Sequence, residues 1–280
     1  MIYIILPVFK RILNTEKFIS SIEEINNHHN IKIIIVDDDT DGQNTRYFSS
    51  KSIKFIDFVQ GNGNLWWGGS INLGIEHLYN TYKLQNEDIC IFANNDVEID
   101  INNFNILLKS LKEYNLVHPR TFDQNKHEVS SGSKIISWFP FITKHPKNIQ
   151  KDTLIDLGTA RFLCMNINVL KELNGINKSL PQYIGDNDFT LRAKEKGYLT
   201  FIIHNAFCHL DDSETGLKNV NIVKFKDVLF SLTSIKSANN LKHKLIFLRF
   251  HHNIIFSYII LLSMIINILG KYVIKKIKGL

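Results

Sequence analysis

A short apolar run, Cys90-Ile91-Phe92-Ala93, ends abruptly in Asn94-Asn95-Asp96. Two amides and a carboxylate can ligate a hard divalent cation through oxygen, or they can simply turn the chain. A strand buried on both faces cannot hold such groups, so they belong at its C-terminal edge, where open α/β sheets bind ligands. A second acidic group follows another apolar run, as residues 31–36 lead straight into Asp37-Asp38-Asp39-Thr40-Asp41-Gly42. A third is Asp186-Asn187-Asp188 at a predicted helix start, where the macrodipole favours carboxylates and capping competes with chemistry as their use. Arg192 stands one turn beyond Asp188, at a spacing that pairs the two.

The elements that must carry these groups follow from hydrophobic period. Residues 2–6, closed by Pro7, read as a buried strand, and residues 14–25 as a helix with Phe18, Ile19, Ile22 and Ile25 on one face. Residues 31–36 and 53–59 predict two further strands, then comes a helix carrying Ile71, Ile75, Leu78 and Tyr82, then a strand at 88–93. The alternation β-α-β-β-α-β implies a mostly parallel sheet with helices on both faces. Parallel strands bring their C-terminal ends to one edge, so the loops after Leu6, Val36 and Ala93 should share a crevice containing Asp38 and Asp96. Later segments predict a helix at 101–113, loops and short strands over 119–152, a short helix at 168–173 and a strand at 199–203.

Two lookalike motifs fail. Asp37, Asp39, Asp41 and Gly42 open like a calcium loop, but the twelfth position is Phe48 and a strand precedes the loop. Gly61-Asn62-Gly63 suggests a dinucleotide fingerprint, yet its third glycine position is Trp66, which cannot pack closely over a pyrophosphate. In the stretch from Asn64 through Trp66, Trp67, Gly68 and Gly69, the indoles could wall a flat ligand face or only cover the sheet edge. The glycines permit close backbone approach at a helix start.

In order along the chain, Pro7-Val8-Phe9, the acidic loop Val36-Asp37-Asp38, the glycine loop Asn64 to Gly74 and Asn94-Asn95-Asp96 resemble family-2 inverting glycosyltransferases of the GT-A fold. The bacterial rhamnosyltransferase-like branch that builds surface polysaccharides is the nearest in pattern. The resemblance implies a nucleotide-sugar donor bordered by Pro7, Val8 and Phe9, with Asp38 at the base. Asn64, Trp66, Trp67, Gly68, Gly69, Asn94 and Asn95 would line the donor site. Asp96 would hold a divalent metal, Mg²⁺ or Mn²⁺, on the diphosphate, with His209 as a second ligand. It places Asp186 as the catalytic base, and Tyr183 and Asp188 toward a saccharide or lipid-linked acceptor. The chain departs from the pattern at Asn94, which removes one formal charge from the metal motif, and at Asp39-Thr40, which lacks a Gly-Ser pair. Capsule or O-antigen assembly is the implied setting, and a non-catalytic nucleotide-sugar or glycan-binding subunit is the alternative.

The 280 residues carry a net charge of +6, with the surplus gathered in Lys236, Lys242, Lys244, Arg249, Lys271, Lys275, Lys276 and Lys278. Between these clusters, residues 253–270 contain no charge. This run argues against nucleic acid as the partner of the basic tail and favours a helix at an anionic membrane surface. A spanning helix, or one packed on its own domain or a dimer mate, are the other readings of that length. The expected location is cytoplasmic, peripheral on the inner face of the plasma membrane. Cys90, Cys164 and Cys208 each sit in an apolar run and read as reduced core thiols. The expected organisation is a donor half at 1–118, an acceptor half at 119–215 of the same domain, and a helical C-terminal extension at 216–280.

Overall fold

The computed structural model describes residues 1–211 and 225–277, apart from the Lys275 side chain. The first residues of the expected extension and Lys278 of the basic cluster lie outside the described residues. The first half alternates as anticipated, through β1 (Ile2–Val8), α1 (Ile12–Asn26), β2 (Ile31–Asp37), α2 (Gln43–Ser49), β3 (Ile56–Gln60), α3 (Trp66–Thr81) and β4 (Ile89–Ala93). Then follow β5 (Val97–Glu98), α4 (Ile101–Ser110), β6 (Leu116–Phe122), β7 (Glu128–Val129), β8 (Gly132–Ser137), β9 (Ile142–Lys144), β10 (Thr153–Ile155), β11 (Leu157–Gly158) and β12 (Phe162–Asn166). The chain continues through α5 (Ile167–Leu173), α6 (Gly185–Glu195), β13 (Thr200–Leu210), α7 (Phe225–Thr233), α8 (Leu241–His251) and α9 (Ile254–Ile277).

The main sheet runs in the order β10-β13-β6-β12-β4-β1-β2-β3. β4, β1, β2 and β3 are mutually parallel, while β12 enters antiparallel between β4 and β6. Period-2 alternation divides each central strand between two cores. Ile4 and Leu6 of β1 and Ile33 and Ile35 of β2 join Phe18 and Ile22 of α1, Phe48 of α2 and Phe104 of α4 on one face. Tyr3 and Ile5, with Ile34 and Val36, meet Ile71, Ile75 and Leu78 of α3, residues of α5, and Phe189 of α6 on the other. This is the α/β, mostly parallel sheet with helices on both faces that the sequence predicts, followed by C-terminal helices.

Several boundaries differ for physical reasons. The third strand begins at Ile56 because 51–54 form a turn. Pro119 lies inside β6, where its missing N–H coincides with a break in the ladder to β13 between Ile203 and Phe207. The polar α2 has no strong apolar period and escapes the sequence reading, but Phe48 anchors it. The three thiols are free and fully buried, and burial pushes the Cys208 thiol up to about 12.

Gly74 sets the closest helix-to-sheet approach. A Cβ there would stand 2.5 Å from Ile5 Cγ2 and 3.2 Å from Val36 Cγ2. Gly74→Ala should therefore lose about 1–3 kcal/mol from overpacking, more than the gain in helix propensity returns. A denaturant midpoint at or above that of the parent would show that α3 has slack against β1.

Candidate active site

The C-terminal ends of β1, β2 and β4 converge as expected, but the carboxylates are used differently. Asp38 is buried, and its two oxygens accept the backbone N–H groups of Gly63 at 2.9 Å, Leu65 at 2.9 Å and Trp66 at 3.1 Å. It folds the glycine loop back onto the sheet edge, and its own N–H donates to Val8 O. Asp37 accepts the Thr45 N–H and hydroxyl and so secures the start of α2. Asp39 keeps one buried oxygen, Oδ2, without a hydrogen-bond partner among the described residues. Phe9 is half exposed at the edge, whereas the Val8 side chain is core.

The expectation that Gly68 and Gly69 open the helix start to a ligand is corrected. The Trp67 N–H donates to Gln182 Oε1 at 3.2 Å and the Gly68 N–H to Pro181 O at 2.7 Å. With Leu65 and Trp66 bound to Asp38, the first N–H groups of α3 are all satisfied by the protein. A Cβ on Gly68 would meet Leu180 O at 3.0 Å, and one on Gly69 would meet Leu65 Cβ at 3.2 Å. The close approach that these glycines permit is to the chain itself.

The amides of the β4 triplet are likewise structural. Asn94 Oδ1 accepts the Trp67 indole N–H at 3.2 Å and fixes that ring in the crevice wall. Asn64 Oδ1 does the same for Trp66 at 3.0 Å, and Lys236 from the C-terminal region lies 5.9 Å from the Trp66 ring centre. Asn95 donates to Thr15 Oγ1 and ties the triplet to α1. Asp96 is left with a buried oxygen, Oδ1, that has no hydrogen-bond partner among the described residues. Burial raises its pKa, Arg161 and Arg11 pull it down, and Asp211 pushes it up. Asp211 faces Asp96 across the β5–β13 pairing, donating its N–H to Asp96 O at 2.8 Å. His209 stands opposite Glu98 and is exposed, so the residue brought to Asp96 is Asp211 and not the expected histidine. No group of three His, Cys, Asp or Glu side chains suited to a metal occurs among the described residues.

Beyond the triplet opens a cleft of about 630 Å³, lined by Trp67 of α3 and Asn94 after β4 and by Phe247 of α8 and Met264 of α9. Arg161, Tyr183 and Asp186 also line it. Asp186 Oδ1 accepts the Asn187 N–H at 2.9 Å, and Oδ2 accepts the Ala160 N–H at 3.4 Å. Burial lifts its carboxyl above the ordinary aspartate value, opposed by those two N–H groups and by Arg161. Tyr183 and the β-branched Ile184 both take left-handed backbone angles, φ 52° and 59°, just before α6. Such strain gathers at functional sites. Asp188, expected toward the acceptor, is fully buried, with Arg192 Nε donating at 2.8 Å and His251 Nε2 at 3.3 Å. It holds α6 in place, and the i,i+4 spacing to Arg192 is the part of the expectation that the structure keeps.

Arg161 is the residue that sequence reasoning missed. It donates to Ser130 O at 2.7 Å and lies near both Asp96 and Asp186. Its only signal was a lone cation entering an apolar strand.

If Asp186 is the general base expected from the sequence it must act ionised, and the acid limb of kcat/KM against pH should then rise with a midpoint above the ordinary aspartate value. Asp186→Asn should lower transfer by about 10²–10⁴-fold. The penalty from a raised carboxyl pKa is absent below its unfolded value and complete above its folded value. Removing that carboxylate should therefore leave the melting temperature at neutral pH no lower than wild type. A wild-type transfer rate in the Asn variant would reject Asp186 as the base.

Similarities to known proteins agree with this fold. A mannosyltransferase from Pyrobaculum calidifontis, solved with GDP-Man and Mn²⁺, superposes with a TM-score of 0.57 at 11% identity, covering 95% of this chain and 69% of that one. GalNAc-T7, solved with UDP, GalNAc and Mn²⁺, gives a TM-score of 0.58 at 9% identity, covering 77% of this chain and 45% of that one. S. aureus TarS 1-349 gives 0.52 at 14% identity, covering 75% and 60%. The chain thus spans about half the length of the last two. No curated protein sequence matches it significantly. The sequence pattern of Glycosyl transferase family 2 matches residues 3–172, more than half of the chain. The strand-end triplet, the acidic loop and the glycine loop all fall within that match, and the chain belongs to glycosyl transferase family 2.

Proposed function

We propose that the protein transfers a hexosyl or deoxyhexosyl unit from a nucleotide-sugar to a saccharide or lipid-linked acceptor with inversion, in bacterial surface polysaccharide synthesis of the rhamnosyltransferase-like kind. The observation that carries this reading is the pair of half-buried carboxylates, Asp96 and Asp186, disposed about one cation, Arg161, along a cleft of ligand size. The nucleotide would lie along the edge at Pro7 and Phe9, with the partnerless oxygen of Asp39 beside Asp38 offering an acceptor to the base. Asp186 would accept the proton from the attacking hydroxyl, opposite the departing nucleoside diphosphate. Arg161 and Arg11 would face the negative charge that develops on that diphosphate. The residues 1–118 and 119–215 then divide donor from acceptor, and Tyr183 borders the acceptor.

The donor set at Asp96 suits a hard divalent cation through one carboxylate oxygen without a hydrogen-bond partner among the described residues. The partnerless Asp96 Oδ1 would hold Mg²⁺ or Mn²⁺, joined by the adjoining Asp211 carboxylate in exchange for its contacts with Gln124 and Lys17, with phosphate oxygens completing the shell. When bound, such a cation supplies Lewis-acid neutralisation of the leaving group. The fold relatives solved with Mn²⁺ and a nucleotide or nucleotide-sugar support this assignment.

The apolar outer side of α9, with Ile255, Leu262 and Ile266 exposed and Lys271 and Lys276 beyond them, supports a membrane-facing position. The protein would then work on the cytoplasmic face of the plasma membrane. One observation favours a second reading, a non-catalytic binding subunit. The Asn94 amide is taken by Trp67, so the triplet presents a single carboxylate.

A thermal-shift panel of UDP-, GDP- and dTDP-sugars with and without Mn²⁺ separates the readings. The correct donor with Mn²⁺ at about 100 Kd should raise the melting temperature by roughly 5 °C. Asp96→Ala should remove the Mn²⁺-dependent part of that rise. Binding without nucleoside diphosphate release, for every donor and acceptor, would favour the binding subunit.

A further inference from the structure

The cleft holds a cation that the reaction above does not use. Lys244 projects from α8 into the wall formed with Phe141, Phe247 and Met264. Its one hydrogen bond is to a neutral amide, Asn239 Oδ1 at 3.3 Å, and it pairs with no carboxylate among the described residues. Burial, assisted by nearby Lys271, lowers its pKa to about 8. Withdrawing an ammonium from water without a counter-charge costs stability, so an apolar side chain would serve a merely structural wall better. Among the described residues the other charged groups lining the cleft are Arg161 and Asp186, so this lining carries excess positive charge.

We propose that the part of the cleft lined by α8 and α9 is an acceptor-side subsite for a phosphate group attached to an apolar chain, with Lys244 as its principal cation. The phosphate would give Lys244 the anionic partner it lacks among the described residues, by a charge-assisted hydrogen bond. Phe141, Phe247 and Met264 would take the first carbons of the chain. Since α8 and α9 form this wall, the rest of the chain would leave along the helices whose outer side is apolar. The word acceptor rests on the glycosyltransferase reading, whereas the subsite rests on Lys244 and its apolar surroundings.

The test titrates the full chain calorimetrically with decyl phosphate below its micellar concentration, inorganic phosphate and decanol, with UDP and Mn²⁺ measured in parallel on the wild type. Decyl phosphate should bind about tenfold or more tightly than either inorganic phosphate or decanol. Lys244→Met should weaken decyl phosphate about tenfold and leave decanol unchanged, and Lys244→Arg should retain phosphate binding. Equal affinity of wild type and Lys244→Met for decyl phosphate would overturn the proposal. Inorganic phosphate binding as tightly as decyl phosphate would overturn its apolar half and leave a free-anion site. Should Lys244→Met fail to fold, the comparison of the three ligands on wild type decides alone. Decyl phosphate behaving as expected while UDP does not bind would sink the nucleotide-sugar reading and keep the subsite.

Discussion

The site depends on holding two carboxylates near the interior without letting burial neutralise them. Desolvation pushes Asp96 and Asp186 toward the protonated form, and one guanidinium, Arg161, opposes it at both. Arg161 does this from a fixed position. Its side chain is tethered to Ser130 O, and its backbone carbonyl accepts the Asn94 N–H at 3.0 Å. The same residue immediately precedes β12, whose Phe162 pairs with Ala93 of β4. The antiparallel strand inserted into a parallel sheet therefore does more than widen it. It delivers a cation to the edge where the strand-end triplet emerges.

A second constraint is the orientation of α6, which carries Asp186. A helix start framed by two left-handed residues is held from below by Asp188, Arg192 and His251. Burial works against the charge on His251, but its hydrogen bonds to Asp188 and Glu195 raise its pKa all the same. Removing one partner from such a buried network leaves an uncompensated charge, which is far more costly than the intact network is stabilising. Because His251 ends α8, the C-terminal helices are coupled to the helix of the proposed base. They are part of the site's architecture, as Lys236 over Trp66 and Lys244 in the cleft also show.

The parts legible in the sequence are those set by local period. β1, β2 and β4 announce themselves by continuous apolar runs, and their polar ends must fall on one edge. What a polar residue does at that edge is not local. Asp38 could meet a ligand or the loop, and the partners that decide it are the N–H groups of Gly63, Leu65 and Trp66, 25 and more residues away. Gly68 marks a close approach in any reading, but the approaching atom, Leu180 O, comes from a segment whose position only the fold determines. Arg161 is a single cation before an apolar strand and Lys244 one of several in a basic segment, with no spacing to reveal the role of either. Helix α8 is obscured because Lys242, His243 and Lys244 interrupt its apolar face.

The tail shows how packing limits what composition leaves open. Helix α9 has 24 residues, a length of about 36 Å, enough to cross a bilayer. Its side chains are apolar nearly all round, yet Ile260, Leu261 and Met264 are buried against Phe247 and Leu248 of α8. A spanning α9 surrounded by lipid would have to give up that cluster, and with it the Met264 wall of the cleft. Keeping the cluster leaves the exposed side of the helix, which includes Ile255, Leu262 and Ile266, free to meet an apolar medium. The proposed peripheral position is compatible with both faces, since a helix lying along an interface would close the cleft with its inner side and turn its outer side to lipid. In that geometry an acceptor bearing an apolar chain would reach Asp186 without leaving the surface.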